Sequence, residues 1–192
     1  MIRMDLLKQL DSFRPECEQE EKDLALLRRC LATEQGLFTR DDPVIHMTAS
    51  AWVLNPARDK VLLCYHKLYD SWAWLGGHAD GETDLLQTAL REVREESGLT
   101  RVRALSEEIF SIESLTVDGH VKRGQYVSSH LHLNATYLLE ADDTEPLVVK
   151  PDENAGLKWF LLEDALSAPR EKWMVERVYS KLNRKIERFL SR

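Results

Sequence analysis

The stretch from Gly76 to Leu99, G-G-H-A-D-G-E-T-D-L-L-Q-T-A-L-R-E-V-R-E-E-S-G-L, constrains this chain more than any other. A glycine-rich turn runs directly into a helix with both ends marked. Thr83 is placed to cap the first turn, Asp84 adds a charge that a helix N-terminus favours, and Gly98 stands where a left-handed residue closes the last turn. At helical spacing, Leu86, Ala89, Leu90 and Val93 fall on one face, while Glu92, Glu95 and Glu96 gather on another. One face packs into a core and the other concentrates negative charge.

Carboxylates at i, i+3 and i+4 repel one another, and a helix gains nothing from that spacing unless a cation sits among them. Mg²⁺ suits such a partial cage, because it takes oxygen ligands and keeps waters and substrate phosphates in its shell. A solvated helix face shows the same run of charge, so the spacing needs support from its surroundings. Gly76-Gly77, Arg91-Glu92, Glu95-Glu96 and Gly98-Leu99 supply it, and together they resemble the signature of the Nudix hydrolases. In that signature a glycine and a spaced glutamate precede R-E-apolar-x-E-E-x-G-apolar. The second half is intact here as R-E-V-R-E-E-S-G-L. The first half departs, since counting from Gly77 the early glutamate position holds Thr83, with Glu82 one residue before it. That glutamate partners the motif arginine in the family, so the departure bears on how Arg91 is held, and Glu82 or Asp80 is available to substitute.

The resemblance implies an α/β fold, the Nudix α/β/α sandwich with a mixed β-sheet, carrying an N-terminal helical extension. The order of elements alone implies only an α/β or α+β domain. It further implies that water attacks a phosphorus of a diphosphate joined to a nucleoside or another group, with Mg²⁺ or Mn²⁺ as cofactor. On that reading Glu92, Glu95, Glu96 and the Gly76 carbonyl bind the metal, and Arg91 orients the carboxylates. Glu153 is a further metal-facing acid, because in many relatives such a glutamate precedes a strand like Lys158-Trp159-Phe160. The base is one of the helix glutamates, Glu113 or Glu153. Two other classes share the fold: a sensor that binds a nucleotide derivative without turnover, and an isopentenyl-diphosphate-isomerase-like enzyme using Cys64. The complete R-E-x-x-E-E favours the hydrolase.

A chain of 192 residues accommodates one domain with an appended arm. Ile2, Leu6, Leu7 and Leu10, then Leu24, Leu27 and Leu31, recur at helical spacing around Pro15. Residues 1–42 are therefore expected as a helical arm, and residues 43–192 as the Nudix domain including a C-terminal helix. A net charge of −7 argues against a general nucleic-acid surface and leaves phosphate recognition to local Arg, Lys and metal, while the resemblance implies a small-molecule diphosphate as the partner. No apolar run reaches the ~20 residues of a membrane span. Cys17, Cys30 and Cys64 are odd in number and lack zinc-ligand spacing, which points to reduced thiols and a cytoplasmic location. A homodimer is compatible with this reading.

Alternating segments place strands at Val44–Leu54, Val61–Tyr65, Ile109–Val117, Ser128–Leu139, Leu147–Val149 and Leu157–Leu162. In the run from Ser128, His130, His132 and Asn134 share one face. His130 and His132 are read as substrate contacts whose protonated rings favour phosphate below about pH 6.5, against the alternative of hydrogen-bonded structural residues. Trp72 and Trp74 share a side of a short extended segment. Trp74 is a candidate to stack on a nucleobase, an interaction of ~1–3 kcal/mol, where packing is the plainer reading. The helical carboxylates favour Mg²⁺ or Mn²⁺ over zinc. Trp173, Val175, Val178, Leu182, Ile186 and Phe189 give the last helix an apolar face, with a solvated basic face opposite.

Overall fold

The computed structural model describes residues 2–34, 36–122, 124–152 and 154–191, so Glu153 lies outside the described residues. In chain order the elements are α1 (Ile2–Ser12), α2 (Glu18–Thr33), β1 (Ile45–Leu54), β2 (Lys60–His66), β3 (Ser71–Ala73), β4 (Leu75–His78) and α3 (Leu85–Ser97). There follow β5 (Val102–Ala104), β6 (Ser111–Val117), β7 (His120–Lys122), β8 (Gln125–Val127), β9 (His130–Ala141) and β10 (Asn154–Leu161). A 3₁₀ turn at Asp164–Leu166, α4 (Lys172–Met174), a π-helical turn at Val175–Tyr179 and α5 (Ser180–Leu190) complete the chain. The main sheet runs β10-β2-β1-β9-β5, with β3 beside β2, β4 beside β1 and β6 beside β9, and β7 and β8 form their own hairpin.

The residues group into two compact units. Met1–Ser50, Gly76–Ala89 and Ser106–Tyr137 form the first; Ala51–Leu75, Leu90–Leu105 and Leu138–Arg192 form the second.

In the first unit α2 lies against β6. Leu24, Leu27 and Leu31 are buried at the helical spacing read from the sequence, as are Leu6 and Leu10 of α1. Beneath them runs a buried polar network. Thr48 Oγ1 and Ser50 Oγ of β1 each donate to Asn134 Oδ1 at 2.9 Å. Asn134 Nδ2 donates to Glu113 Oε2 at 3.1 Å, and Thr136 Oγ1 donates to the same oxygen at 2.7 Å. Ser111 Oγ lies between Glu113 and Glu20 of α2, both fully buried. The network explains why Thr48 and Ser50 of β1 are buried although they alternate with apolar residues. Polar groups tolerate burial when partnered, and these partners tie the helical arm to the sheet.

The start of α3 also lies in this unit. Asp84 Oδ1 accepts from the amides of Leu86 at 3.1 Å and Gln87 at 3.3 Å, while Glu82 Oε1 accepts from Thr83 and Asp84. The cap is therefore Asp84, not Thr83, because the helix begins one residue later than the sequence implies. Asp84→Ala should cost about 0.5–2 kcal/mol in urea denaturation, and Thr83→Ala less.

In the second unit β2 pairs antiparallel with β10, with an irregularity between Asn154 and Gly156, and with β3 on its other register. Val178, Tyr179, Leu182 and Ile186 are buried, and the Tyr179 ring stacks on Trp52 with centroids 5.2 Å apart. Three sequence expectations fail in this unit. Leu147–Val149 is not a strand, because the Val148 amide donates to the Ser97 carbonyl at 2.8 Å rather than to a strand partner. Trp173 is 49% exposed, and Lys181 and Lys185 are buried rather than solvated. The π-turn widens the helix between Trp173 and Lys181 and rotates the faces on either side out of the uniform register assumed from the sequence.

Candidate active site

Residues Leu90–Ser97 of α3 carry the acidic motif in the second unit. Val93 and Leu90 anchor one side of the helix in the core. Gly98, with φ +72°, ends it, and its amide donates to the Arg94 carbonyl at 2.9 Å, as the glycine position implies.

The glutamates are not equivalent. Glu92 and Glu96 are buried at 8% and 4% exposure, whereas only Glu95 faces outward. Arg91 Nη1 lies 2.8 Å from Glu92 Oε1 and 3.7 Å from Glu95 Oε1, so one guanidinium braces neighbouring carboxylates. Lys150 Nζ approaches Glu95 Oε2 at 3.8 Å. Asn154 Nδ2 donates to Glu96 Oε1 at 3.0 Å, while Asn154 Oδ1, also buried, has no hydrogen-bond partner. Lys150 and Asn154 went unread in the sequence, since one sits in an irregular segment and the other in a turn-like run where any polar residue is ordinary.

This donor set fits a hard divalent cation. Carboxylates at i, i+3 and i+4 supply oxygen ligands, and sinking two of them in protein is costly without positive charge nearby. The unpartnered amide oxygen of Asn154 is one more acceptor beside Glu96 that a cation or its bound water satisfies.

The remaining candidates are distributed as follows. Gly76 lies in the first unit against β1, where a Cβ would come within 2.6 Å of the Ala49 carbonyl and 2.7 Å of Ser50 Cα, so only glycine fits. Glu113 is a fully buried acceptor in the β6–β9 network. Trp74 is half-buried, with its ring edge-on to Tyr179 at 5.7 Å. Trp72 stands edge-on to Tyr65 and Phe160. Cys64 is 1% exposed and directs its thiol to the Trp74 carbonyl at 3.5 Å, an enclosed rather than a presented sulfur.

His130 and His132 share a face of β9, as the alternation implies, and meet at 3.1 Å through their Nε2 atoms. His46 of β1 and His78 of β4 join them, with ring centroids 4.8 Å and 4.9 Å from His132. Burial, reinforced by the neighbouring histidines, holds His132 down at about 2; burial, then Arg40 and His46, holds His78 at about 3. Burial likewise lowers His46. Burial therefore holds the His132 ring neutral in the range just below pH 6.5, where the sequence reading has it protonated.

Among the described residues no helix is long and apolar enough to cross a membrane. Residues 44–181 match the NUDIX domain family model. A probable DHNTP pyrophosphohydrolase of Lactococcus lactis subsp. cremoris (strain MG1363) is 24% identical over 159 residues, covering 83% of this chain and 88% of that protein. Among solved structures, the C. elegans Ap4A hydrolase binary complex superposes with a TM-score of 0.55 at 23% identity, over 76% of this chain and 97% of that one. The E. coli dihydroneopterin triphosphate pyrophosphohydrolase gives 0.51 at 16% identity, over 73% and 94%. These likenesses show the expected α/β/α sandwich fold with its N-terminal helices added. With a family match over most of its length and the R-E-V-R-E-E-S-G-L segment on a capped helix, the chain belongs to the Nudix hydrolases, enzymes that use divalent metal on small-molecule diphosphates.

Proposed function

We propose that this chain is a pyrophosphohydrolase that cleaves a phosphoanhydride bond in a nucleotide-like diphosphate, with Mg²⁺ or Mn²⁺ held by Glu92, Glu95 and Glu96. The observation that carries the proposal is the pair of buried carboxylates, Glu92 and Glu96, each braced by its own neighbour, Arg91 or Asn154. A bound divalent ion supplies charge neutralisation at phosphate oxygens and a more acidic water. The chain's own residues do the positioning. Arg91 fixes the Glu92 carboxylate and shares charge with Glu95, and Asn154 holds Glu96 in one rotamer by donating to a single oxygen. Phosphoryl transfer depends chiefly on such placement and on electrostatic stabilisation. Lys150, beside Glu95, adds a cation suited to a polyphosphate tail. The open part of the Trp74 indole offers a face on which a base or pterin-like ring stacks.

Because Asn154 acts through Glu96, Asn154→Leu should lower kcat/KM by about 10–100-fold with little loss of secondary structure. Steady-state kinetics on the best substrate checks this, and a wild-type rate removes Asn154 from the site.

The substrate test begins with Ap4A and dihydroneopterin triphosphate, the compounds in the relatives' names, and extends to nucleoside triphosphates, nucleotide sugars and coenzyme A. Each is incubated with Mg²⁺ and with Mn²⁺, and the phosphorus products are identified. Cleavage of a phosphoanhydride is expected. Tight binding without cleavage across the panel would instead favour a sensor. The enclosed Cys64 thiol disfavours the isomerase reading.

A further inference from the structure

The histidine cluster of the first unit has a chemistry of its own. We propose that His46, His130 and His132 form a site for a zinc-class divalent cation, with His78 flanking its fourth position. One ring nitrogen from each of the three lies within 4.8 Å of the others, and His130 Nε2 and His132 Nε2 are already 3.1 Å apart. Zinc–nitrogen bonds of about 2.0–2.1 Å in tetrahedral geometry place ligand nitrogens roughly 3.3 Å from one another. One edge of the tetrahedron is thus formed, and the remaining edges lie between nitrogens no more than 4.8 Å apart.

Strand geometry makes the cluster. His130 and His132, two residues apart on β9, project to the same side. The Leu131 amide donates to the Val44 carbonyl at 2.8 Å, bringing the start of β9 to the start of β1 and His46. The Ala79 amide donates to the Met47 carbonyl at 3.1 Å, which brings His78 of β4 to the same place. The His78 ring centroid lies 5.1 Å from that of His46.

The outer contacts select the ligating tautomer. His130 Nδ1 is 2.8 Å from the Ser128 carbonyl and His46 Nδ1 is 3.4 Å from the Asp42 carbonyl, so each carries its proton on Nδ1 and leaves an Nε2 lone pair. Metal-bound histidines are commonly oriented in this way by a backbone carbonyl. Without a metal, His132 Nε2–H donates to His130 Nε2; binding a cation requires His132 only to take its other neutral tautomer. A hydrogen-bonded cluster alone accounts for that one contact. It leaves His46 Nε2, in a side chain 5% exposed, buried with no partner, at a cost of roughly 1–3 kcal/mol. Burial also favours the neutral, metal-binding form of His46 and His132. An imidazole set selects Zn²⁺, Co²⁺ or Ni²⁺ over Mg²⁺, the reverse of the preference of the α3 carboxylates.

The test uses the full chain, free of any affinity tag and stripped with a chelator. Co²⁺ is added and the visible d–d absorption recorded, followed by calorimetric titration with Zn²⁺. A single equivalent of Co²⁺ with tetrahedral bands, displaced by Zn²⁺ and not by excess Mg²⁺, is the expected result. His46→Gln and His130→Gln should each weaken Zn²⁺ binding by about 100-fold or more, while His66→Gln and Glu96→Gln leave it unchanged. His130 is only partly buried, so its variant should fold as the wild type by circular dichroism even if His46→Gln does not. Absence of the cobalt bands, equal Zn²⁺ affinity in folded His130→Gln, or loss of binding in Glu96→Gln would each overturn the site. So would substrate affinity that falls in His130→Gln while no cation binds, since the row would then contact phosphate.

Discussion

Glu96→Gln is expected to lower kcat by about 10²-fold or more while the protein keeps its circular dichroism spectrum and melting temperature near wild type. The change removes a charge and almost no volume, and the new amide oxygen still accepts from Asn154 Nδ2, now 3.0 Å from Glu96 Oε1. Losing an outer partner of a metal ligand already costs about 10–100-fold, so losing the ligand's charge costs at least the upper end. Glu95→Gln should act in the same direction, because Glu95 is the exposed member of the acidic set and shares Arg91 with Glu92. Full activity in folded Glu96→Gln would remove the acidic face from the chemistry.

Gly76→Ala should produce the largest loss of stability of any single-methyl change in the glycine turn. The added Cβ meets the Ala49 carbonyl at 2.6 Å and Ser50 Cα at 2.7 Å, and both are backbone atoms of a fully buried strand that cannot swing aside. Overpacking of this kind costs about 1–3 kcal/mol, and for a chain of this size each kcal/mol lowers Tm by about 2–4 °C. Calorimetry reads it directly. An unchanged Tm would mean that β1 and β4 are not held as close as described.

How much of this was legible in the sequence depended on whether a feature was local. The α3 helix, its Gly98 cap and the shared face of His130, His132 and Asn134 follow from spacing within one segment, and the fold bears them out. The choice between Thr83 and Asp84 as cap did not follow, since both residue types accept from helix amides and only the backbone path decides. Asn154 and His46 were missed because each acquires its role from a partner at long range, across β10 to α3 and across β1 to β9. Apolar periodicity assumes a uniform helix, so the π-turn at Val175–Tyr179 displaced Trp173 and buried Lys181 and Lys185 without any local sign. The short β5 and the β7–β8 hairpin carry too few apolar residues for alternation to register.

If the α3 glutamates hold the catalytic metal, Mn²⁺ binding depends on them, and it is followed as the loss of the free-ion electron paramagnetic resonance signal in wild type, Glu92→Gln/Glu96→Gln and His130→Gln. Wild type and His130→Gln should bind Mn²⁺ alike, and the glutamate pair should lose binding by about 100-fold. Undiminished Mn²⁺ binding in the folded glutamate variant, or its loss in His130→Gln instead, would contradict the assignment.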